Sequence, residues 1–520
     1  MKNIRSSTLR GVVLLTATGI TSQIIAFVYR IFLSQLVGAE IMGLYQLIMP
    51  VYAVMLSLSS VGLTSAVSNL SARYQAMGDM RGVWEVRNQA LRLFFALAAL
   101  PCALILCFSD GVSVAIIGDA RTQLGLLLLV PCLILTGVEN VQKYYFYGTG
   151  CVRPAALTEL IEQVLRTILI LGLLSLLLPQ YPERIVGIIV TGMILCEIFS
   201  AVTQTVLFRR HLGPPGALRG KHRTQVKLSR NIMTIAVPIG FTALLGNLIG
   251  SANSILVPRL LVQGGMERAE AMQSFGVMFG MTFPMLYLPT AFLGALNLIL
   301  APKLAEAAAL GRMDLVRLRV RKSVAAANLL LIPALALLAV VGPGLGAILY
   351  KDPRVGNHLD LLALGVLLSC WQTLMGNALS GLNLQAKAAK IVIFSDVVQL
   401  AITWATVGRP EWGLRGFAWG YVISSALGAW LCWRKLAEET GLTLPVYDWF
   451  IAPLLGAALS ATCTRLLHSI LIRGGAGVVT IELYCLVFGL VLYLAALQAQ
   501  GISFRGLLRD GGLVKGEKTR

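Results

Sequence analysis

The sequence predicts an all-α polytopic membrane protein with about fourteen transmembrane helices in two parallel-repeat lobes. Three observations carry this prediction: recurring apolar runs, a low share of charged residues and an internal repeat. Hydrophobic residues make up 57% of the 520 residues, charged residues make up 13%, and the mean hydropathy is +0.78. Soluble chains carry about 25% charged residues, so this composition excludes a soluble globular protein.

The apolar runs are each about 20–27 residues long, which is enough for an α-helix to cross about 30 Å of hydrocarbon. The first run follows Lys2, Arg5 and Arg10 and imitates a secretory signal. It is too long for a signal and many more runs follow it, so we expect an uncleaved first helix. The predicted spans are 11–37, 43–70, 88–109, 122–147, 154–178, 184–208, 231–257, 273–300, 323–349, 359–384, 389–408, 413–433, 449–471 and 477–499.

Basic residues predict the orientation of the spans. Residues 209–230 contain seven Lys and Arg residues and no acidic residue, and residues 303–322 and 500–520 are also basic. Because cytoplasmic loops carry an excess of Lys and Arg, we expect these segments and both termini in the cytoplasm of a multi-pass plasma-membrane protein. The net charge of +19 then reflects topology and contact with anionic lipids, and we expect no nucleic-acid binding.

An internal repeat predicts the two lobes. "QAMGDM" recurs loosely as "AALGRM", with Gly78 and Gly311 at an offset of 311 − 78 = 233, and "GTGCVRPAA" recurs as "GLNLQAKAA" at the same offset. Parallel repeats are related by an axis along the membrane normal, with the substrate site between them. The predicted organisation is an N-lobe at 1–208, a basic cytoplasmic linker at 209–230, a C-lobe at 231–433, an appendage of two spans at 434–499 and a basic tail at 500–520.

Several kinds of chemistry find no support in the motifs. The nine cysteines form no CxxC and the four histidines are scattered without HExxH, so we expect no metal site. The sequence lacks GxxxxGK[ST], which excludes ATP hydrolysis in the manner of a P-loop pump. We expect no catalytic residues, no cofactor and no enzymatic activity.

Arg30 places a permanent charge inside the apolar run "IIAFVYRIFL" of the first span. A charge near the centre of a span costs about 2.5–3.5 kcal/mol on insertion scales, so its placement needs a reason. Two explanations are open. The side chain could reach the outer interface, since Arg30 is roughly 9 Å outward of the span's midpoint at about 1.5 Å per residue. Alternatively, it faces a hydrated cavity and holds an anion. Arg259 lies at a similar place in the second half, 229 residues later.

Six further charges cluster in spans four to six: Glu139 and Lys143, then Glu159, Glu162 and Arg166, then Glu197. In "TELIEQVLRT", Glu162 precedes Arg166 by four residues, which is the favourable order for an ion pair on one helical face. Two interpretations remain open here as well. The charges form either a buried polar network that joins the three spans or the lining of a hydrated translocation path.

The second half does not repeat this cluster. At the offset of 233, Glu159, Glu162, Gln163 and Arg166 become Val392, Ser395, Asp396 and Gln399. Charges needed by the scaffold itself should occur in both halves, so their presence in one half favours a specific role. In the appendage, Arg465 and Glu482 lie at similar depth, and we expect a structural salt bridge between them.

Four blocks carry a resemblance to a known family: Gly43–Leu70, Arg153–Arg166, Val257–Phe292 and Leu300–Ala307. They resemble the stage V sporulation protein B family, which belongs to the multidrug/oligosaccharidyl-lipid/polysaccharide exporter superfamily. The resemblance runs from about Thr8 to Leu497. It implies a fourteen-helix, two-lobed fold and the movement of lipid-linked cell-wall precursors, as in the related lipid II flippases.

The resemblance, together with the charges above, gives the expected site. Head-group contacts are assigned to Arg30, Lys143, Glu162, Gln163, Arg166 and Arg259, and a coupling ion to Glu139, Glu159, Glu197 and Asp396. The expected function is a flippase that moves undecaprenyl-diphosphate-linked sugar precursors by alternating access without ATP. Cation-coupled multidrug export is the alternative, and a membrane scaffold without transport is a third. The expected partners are the lipid-linked precursor, anionic membrane lipids and cell-wall synthesis enzymes.

Overall fold

The protein is all-α. The structure, a computed structural model, describes residues 2–213, 225–443, 447–474 and 477–500, and every regular element in these ranges is helical. The described chain forms two compact units, Met1–Gly276 and Val277–Arg520. The first unit contains α1 (Lys2–Leu56), α2 (Gly62–Ala76), α3 (Met80–Gly111), α4 (Gln123–Gly148), α5 (Val152–Leu177), α6 (Ile185–Leu212), α7 (Gln225–Gln263) and α8 (Arg268–Gly276).

The second unit contains a further eight helices. They are α9 (Phe283–Tyr287), α10 (Ala291–Ala309), α11 (Met313–Tyr350), α12 (Leu359–Gly381), α13 (Gln385–Thr406), α14 (Gly413–Thr440), α15 (Ala452–Arg473) and α16 (Val478–Ala499). A core of buried apolar side chains from α10, α11, α12 and α14 includes Leu304, Val320, Leu379 and Leu436.

The predicted number of spans is confirmed. Twelve helical stretches are long and apolar enough to cross a membrane, and the first, Leu14–Ala76, covers two predicted spans. Gly38 divides it, because its φ of 77° and ψ of 172° interrupt the helix in a region that favours glycine. With this division, and with the 28-residue α14 counted as well, the described chain contains fourteen helical stretches that correspond to the predicted spans.

Short π-helical segments interrupt the regular helices at Ser57–Val61, Val112–Ile117, Val277–Thr282 and Tyr447–Ile451. The first of them leads into a very close contact between helices. A Cβ on Gly62 would lie 2.1 Å from the carbonyl oxygen of Ala236 on α7, so only glycine allows this approach. Such π segments often occur at functional sites.

The turns between the helices repeat along the chain. Gly78 and Gly311 both have positive φ, as do Gly118 and Lys351, and Gly150 and Asn383. Each pair is 233 residues apart (351 − 118 and 383 − 150 as well as 311 − 78), which is the offset that the sequence blocks predict. The repeat is therefore present in the local backbone conformation as well as in the sequence.

The second repeated turn, at Gly118 and Lys351, also carries the same side-chain cap in both halves. Asp119 accepts a hydrogen bond from the backbone N–H of Arg121 at 2.9 Å, and Asp352 accepts the same bond from Arg354 at 2.9 Å. The guanidinium of Arg354 also lies 2.7 Å from Asp352, and its hydrogen bond lowers the pKa of that carboxyl. At Asp119, burial by itself raises the pKa of the carboxyl. The hydrogen bonds from Arg121 outweigh burial and leave this pKa lowered.

Two predicted features lie wholly or partly outside the described residues. The basic linker 209–230 is described at its ends, in α6 and α7, but not at 214–224, and the tail is described at residue 500 alone. The predicted lobes at 1–208 and 231–433 rest on the sequence repeat and stay predictions, as does the cytoplasmic side of both termini. The two compact units are defined by contacts and divide at Gly276.

Candidate functional site

Helices α4, α5 and α6 bring the six predicted charges together within the first unit. Small residues permit the close packing that this requires. A Cβ on Gly192 of α6 would lie 2.5 Å from Cγ1 of Ile170 on α5, so the two helices approach closely at this level. Five residues further along α6, Glu197 then faces the acidic and basic side chains of α5.

Arg166 lies at the centre of this group. Its Nη2 is 2.5 Å from Oε1 of Glu162 and 3.3 Å from Oε1 of Glu197. Ser200 donates a hydrogen bond to the other oxygen of Glu162 at 3.0 Å. The predicted ion pair between Glu162 and Arg166 is therefore confirmed. Both glutamates are buried, so the contact with Arg166 offsets the cost of taking their charges out of water.

Three buried carboxyl groups converge beside Arg166. One oxygen from each of Glu139, Glu162 and Glu197 lies within 4.8 Å of the others. The second oxygen of Glu197 is buried without a hydrogen-bond partner among the described residues. Carboxylate oxygens are the ligands that hard cations prefer, so this donor set fits a cation or shared protons. No sequence motif signals this donor set, because the three residues come from three different helices.

Lys143 extends the group along α4 and α5. Its ammonium lies 3.1 Å from Oε2 of Glu159 and 4.0 Å from Oε1 of Glu139, and the Tyr147 hydroxyl donates to Glu159 at 3.1 Å. Four carboxyl groups thus face two basic side chains in this network. The excess of acidic groups favours the uptake of protons or of a cation when the network is buried in the membrane.

Arg30 differs from Arg166 and Lys143, because no carboxylate lies within 4.0 Å of it among the residues that the structure describes. Its side chain on α1 is half-buried. Arg30 and Arg166 both lie within electrostatic range of the hydroxyls of Tyr29 and Tyr45. Arg30 and Arg166 therefore lie close to the same pair of tyrosines. Arg166 is paired with carboxylates, and Arg30 has no acidic partner among the described residues.

The remaining predicted site residues lie in other surroundings. Arg259 on α7 donates to the backbone carbonyls of Ala115 and Ile116, where it caps the π segment that follows α3. Gln163 is half-buried next to Glu162. Asp396 on α13 of the second unit has no ion-pair partner within the described ranges. The head-group and coupling roles of these residues stay predictions.

The expected salt bridge in the appendage is wrong in one partner. Glu482 on α16 lies 3.0 Å from Nε2 of His468, and not against Arg465. His468 is three residues after Arg465 on α15, which brings it to the neighbouring position on the same helical face. Glu482 also packs against Gly344 of α11, where a Cβ would lie 1.7 Å from Oε1, so a side chain at this position would displace the Glu482 carboxyl.

Several neutral residues of the site were not predicted, because only charged residues stand out in an apolar sequence. Ser200 lies one turn after Glu197 on α6, and this spacing could have identified it. Tyr45 and Tyr52 are seven residues apart on α1 and face the same region; the Tyr52 hydroxyl donates to Thr136 at 2.6 Å. An isolated tyrosine in an apolar helix carries no signal that separates this role from packing.

The chain is similar to known proteins over most of its length. Residues 8–293 match the polysaccharide biosynthesis protein family. Stage V sporulation protein B of Bacillus subtilis (strain 168) is 23% identical over 452 residues, which cover 85% of this chain and 86% of that protein. Lipid II flippase MurJ of the same organism is 20% identical over 448 residues, covering 81% and 82%.

A solved structure of lipid II flippase MurJ in an inward closed conformation has a TM-score of 0.67 and 14% identity, and the match covers 96% of this chain and all of that one (100%). An inward-facing multidrug resistance MATE family transporter of the MOP superfamily has a TM-score of 0.63 and 15% identity, covering 83% and 98%. These structures share the fold. Because the family match extends over more than half of the sequence, this chain belongs to the polysaccharide biosynthesis protein family.

Proposed function

We propose that this protein is a transporter of the flippase type, which moves a lipid-linked sugar precursor across the membrane by alternating access. The observation that carries the proposal is Arg30, a half-buried guanidinium in the first span with no acidic partner in the described chain. An arginine that only stabilised the helix bundle would be expected to pair with a carboxylate, as Arg166 does. The relatives of this chain include a protein named lipid II flippase, which supports a lipid-linked substrate.

The chemistry of arginine suits the diphosphate of an undecaprenyl-diphosphate-linked precursor. The planar guanidinium carries a permanent charge and donates two parallel hydrogen bonds to phosphate oxygens. The prenyl tail can remain in lipid while the polar head group crosses in a hydrated path, which avoids the cost of burying unpaired polar groups. An inside-negative potential assists outward movement by about 2.3 kcal/mol per charge per 100 mV.

The carboxylate network supplies a means of coupling. In this structure Glu162 and Glu197 both form ion pairs with Arg166. When protons or a cation neutralise these carboxylates, their hold on Arg166 weakens and its donors become available to the diphosphate beside Arg30. The phosphate and the two glutamates thus compete for one guanidinium, so that uptake of a cation favours binding of the anionic substrate.

A second candidate function is cation-coupled export of a drug-like compound. The three converging carboxyl groups of Glu139, Glu162 and Glu197 favour it, because they form a donor set for a proton or sodium ion without any need for a phosphate. In that case Arg30 would have no role in substrate recognition.

The experiment that tests the proposal is translocation of a fluorescent undecaprenyl-diphosphate-linked disaccharide in vesicles containing the purified protein, followed by quenching from outside. Transport by the wild-type chain and mass-spectrometric detection of co-purified prenyl-diphosphate lipids are the expected results. Absence of both, with efflux of a cationic dye against a proton or sodium gradient, would favour the second candidate.

A further inference from the structure

The first unit contains a second polar site, a cavity apart from the carboxylate network. It lies between α2 and α4 and has a volume of about 500 Å³. We propose that this cavity is a saccharide-binding site. The inference rests on the proposed function in one respect, that the saccharide would be the head group of the lipid-linked precursor.

The cavity is built from one face of each helix. From α2 it receives Ser65, Ser68, Asn69 and Ala72, whose spacing of three, four and seven residues places them on one side of the helix. From α4 it receives Tyr144, Tyr147 and Gly148. A Cβ on Gly148 would lie 2.2 Å from the carbonyl oxygen of Ser68, so the two helices touch at one end of the cavity. A volume of this size falls within the range of about 300–1,000 Å³ typical of small-molecule sites.

The α2 side of the cavity offers hydrogen-bonding groups that other parts of the described chain do not use. No described hydrogen bond involves the side chain of Ser68 or Asn69. The hydroxyl of Ser65 lies 3.5 Å from the carbonyl oxygen of Val61, beyond the usual range for such a bond. Two hydroxyls and one amide therefore present donors and acceptors to the cavity, as the hydroxyl groups of a sugar require.

The α4 side offers aromatic rings. Tyr144 and Tyr147 lie with their ring centroids 5.6 Å apart at an interplanar angle of 68°. The electron-rich face of such a ring attracts the slightly positive C–H groups on the less polar face of a sugar. Polar groups on one wall and aromatic rings on the other match the two kinds of surface that a sugar ring carries.

The charge of the lining favours a neutral ligand over the diphosphate. None of the seven lining residues is charged. Lys143, which adjoins Tyr144 in sequence, is bound to Glu159 at 3.1 Å, and the hydroxyl of Tyr147 donates to the same carboxylate. An anion in the cavity would meet an already neutralised basic group, whereas a polyol would meet no electrostatic penalty.

The position of the cavity relative to Arg166 suits a head group with two parts. Tyr147 is bound to Glu159, and Arg166 is seven residues further along α5, about 10 Å at about 1.5 Å per residue. A diphosphate at Arg166 could therefore be followed by sugar units that extend toward α2 and α4. The diphosphate and the saccharide then have separate binding groups, which different substitutions can remove.

The test compares two lipids on the purified full-length chain by native mass spectrometry: undecaprenyl diphosphate with no sugar, and the same lipid bearing an N-acetylglucosamine disaccharide. Ala72→Phe fills the cavity from an exposed position, and the double change Asn69→Ala with Tyr144→Ala removes one group from each wall. We expect each variant to weaken binding of the glycosylated lipid about five- to tenfold, while binding of the bare lipid stays at the wild-type level. Tyr181→Ala, an exposed tyrosine before α6, is the matched control.

Two outcomes would overturn the inference: wild-type affinity for the glycosylated lipid in both variants, or equal loss of both lipids. If the wild-type chain binds neither lipid, the proposed function fails. A second probe then tests separately whether the cavity binds a saccharide. Free N-acetylglucosamine disaccharide should then show saturation transfer from the wild-type protein in NMR and lose it in Ala72→Phe. No transfer from the wild-type protein would refute the saccharide site.

Discussion

The Nη2 atom of Arg166 lies 2.5 Å from Oε1 of Glu162, one helical turn earlier on α5, and 3.3 Å from Oε1 of Glu197 on α6. One guanidinium thus holds two buried carboxylates from neighbouring helices. Such a group can stabilise the bundle, or it can exchange its carboxylates for a substrate anion during transport. The two roles predict different results when the charges are removed singly and together.

Arg166→Gln should destabilise the protein strongly, because it leaves Glu162 and Glu197 buried without their cation. Breaking a buried ion pair from one side costs about 3–5 kcal/mol. Thermal unfolding in detergent, followed by tryptophan fluorescence, should show a lower midpoint. The double change Glu162→Gln with Arg166→Gln should recover much of the lost stability, since fewer charges remain unpaired.

Transport should not recover with stability. The flippase proposal expects the same double variant to remain inactive in the vesicle assay, because the second phosphate-binding group is gone. A purely structural role for Arg166 predicts that activity returns together with the unfolding midpoint, and that result would contradict its assignment to the diphosphate.

Arg30→Ala should lower translocation of the lipid-linked disaccharide about ten- to hundredfold, since a hydrogen bond to a charged group contributes about 1.5–3 kcal/mol. Expression and the unfolding midpoint should change little, because Arg30 has no acidic partner in the described chain. Arg30→Lys keeps the charge but loses the bidentate geometry, so it should restore activity in part.

The matched control is Arg409→Ala, at an exposed position between α13 and α14. It should leave the rate unchanged. Wild-type translocation in Arg30→Ala would end the diphosphate hypothesis and, with dye efflux intact, would support the drug-export alternative.

Glu139→Gln and Glu197→Gln should separate coupling from substrate recognition. Each removes one of the three carboxyl groups that converge within 4.8 Å. We expect either change to reduce the dependence of the rate on the proton or sodium gradient, while the lipid still binds in native mass spectrometry. Glu306→Gln, at an exposed position on α10, is the control. Loss of lipid binding in both glutamate variants would instead assign these residues to the head group.

The sequence predicted the membrane fold well because its signals are local. A run of apolar residues identifies a span by itself, and the offset of 233 found in the short blocks around Gly78 and Gly311 recurs in the positive-φ turns. The pair Glu162–Arg166 was predictable for the same reason, since both residues lie on one face of one helix.

Contacts between helices were harder to predict from the sequence. Glu197 joins Arg166 from a different helix, and His468 replaces Arg465 as the partner of Glu482 because side-chain direction on α15, and not depth alone, decides which residue meets α16. The cavity beside Tyr144 depends on the close contact at Gly148. Neither the packing distance nor the facing residues are encoded in one short segment.

Asp352→Asn should reduce stability by a pH-dependent amount. The pKa of Asp352 is lowered by its hydrogen bond from Arg354, so its ionised form stabilises the folded state above the pKa of the unfolded chain, about 3.9. This contribution is lost as the pH falls through the lower folded-state pKa. The unfolding midpoint of the variant should lie a few degrees below wild type at pH 7 and approach it as the pH falls through the lowered pKa of Asp352. Glu411→Gln, an exposed carboxyl between α13 and α14, is the matched control; a pH-independent difference for Asp352→Asn would refute a role for its charge.

The orientation of the spans can be tested by cysteine labelling. In a chain whose nine cysteines are replaced, Glu267→Cys, between α7 and α8, should react in intact cells with a maleimide that does not cross membranes. Lys221→Cys, in the basic segment 209–230, should react only after the membrane is permeabilised, because Lys and Arg are retained on the cytoplasmic side. Residue 221 precedes α7 in the sequence and residue 267 follows it, so a chain in which α7 crosses the membrane once cannot expose both. Labelling of Lys221→Cys in intact cells, with protection of Glu267→Cys, would reverse the topology and place the cavity between α2 and α4 on the outer side.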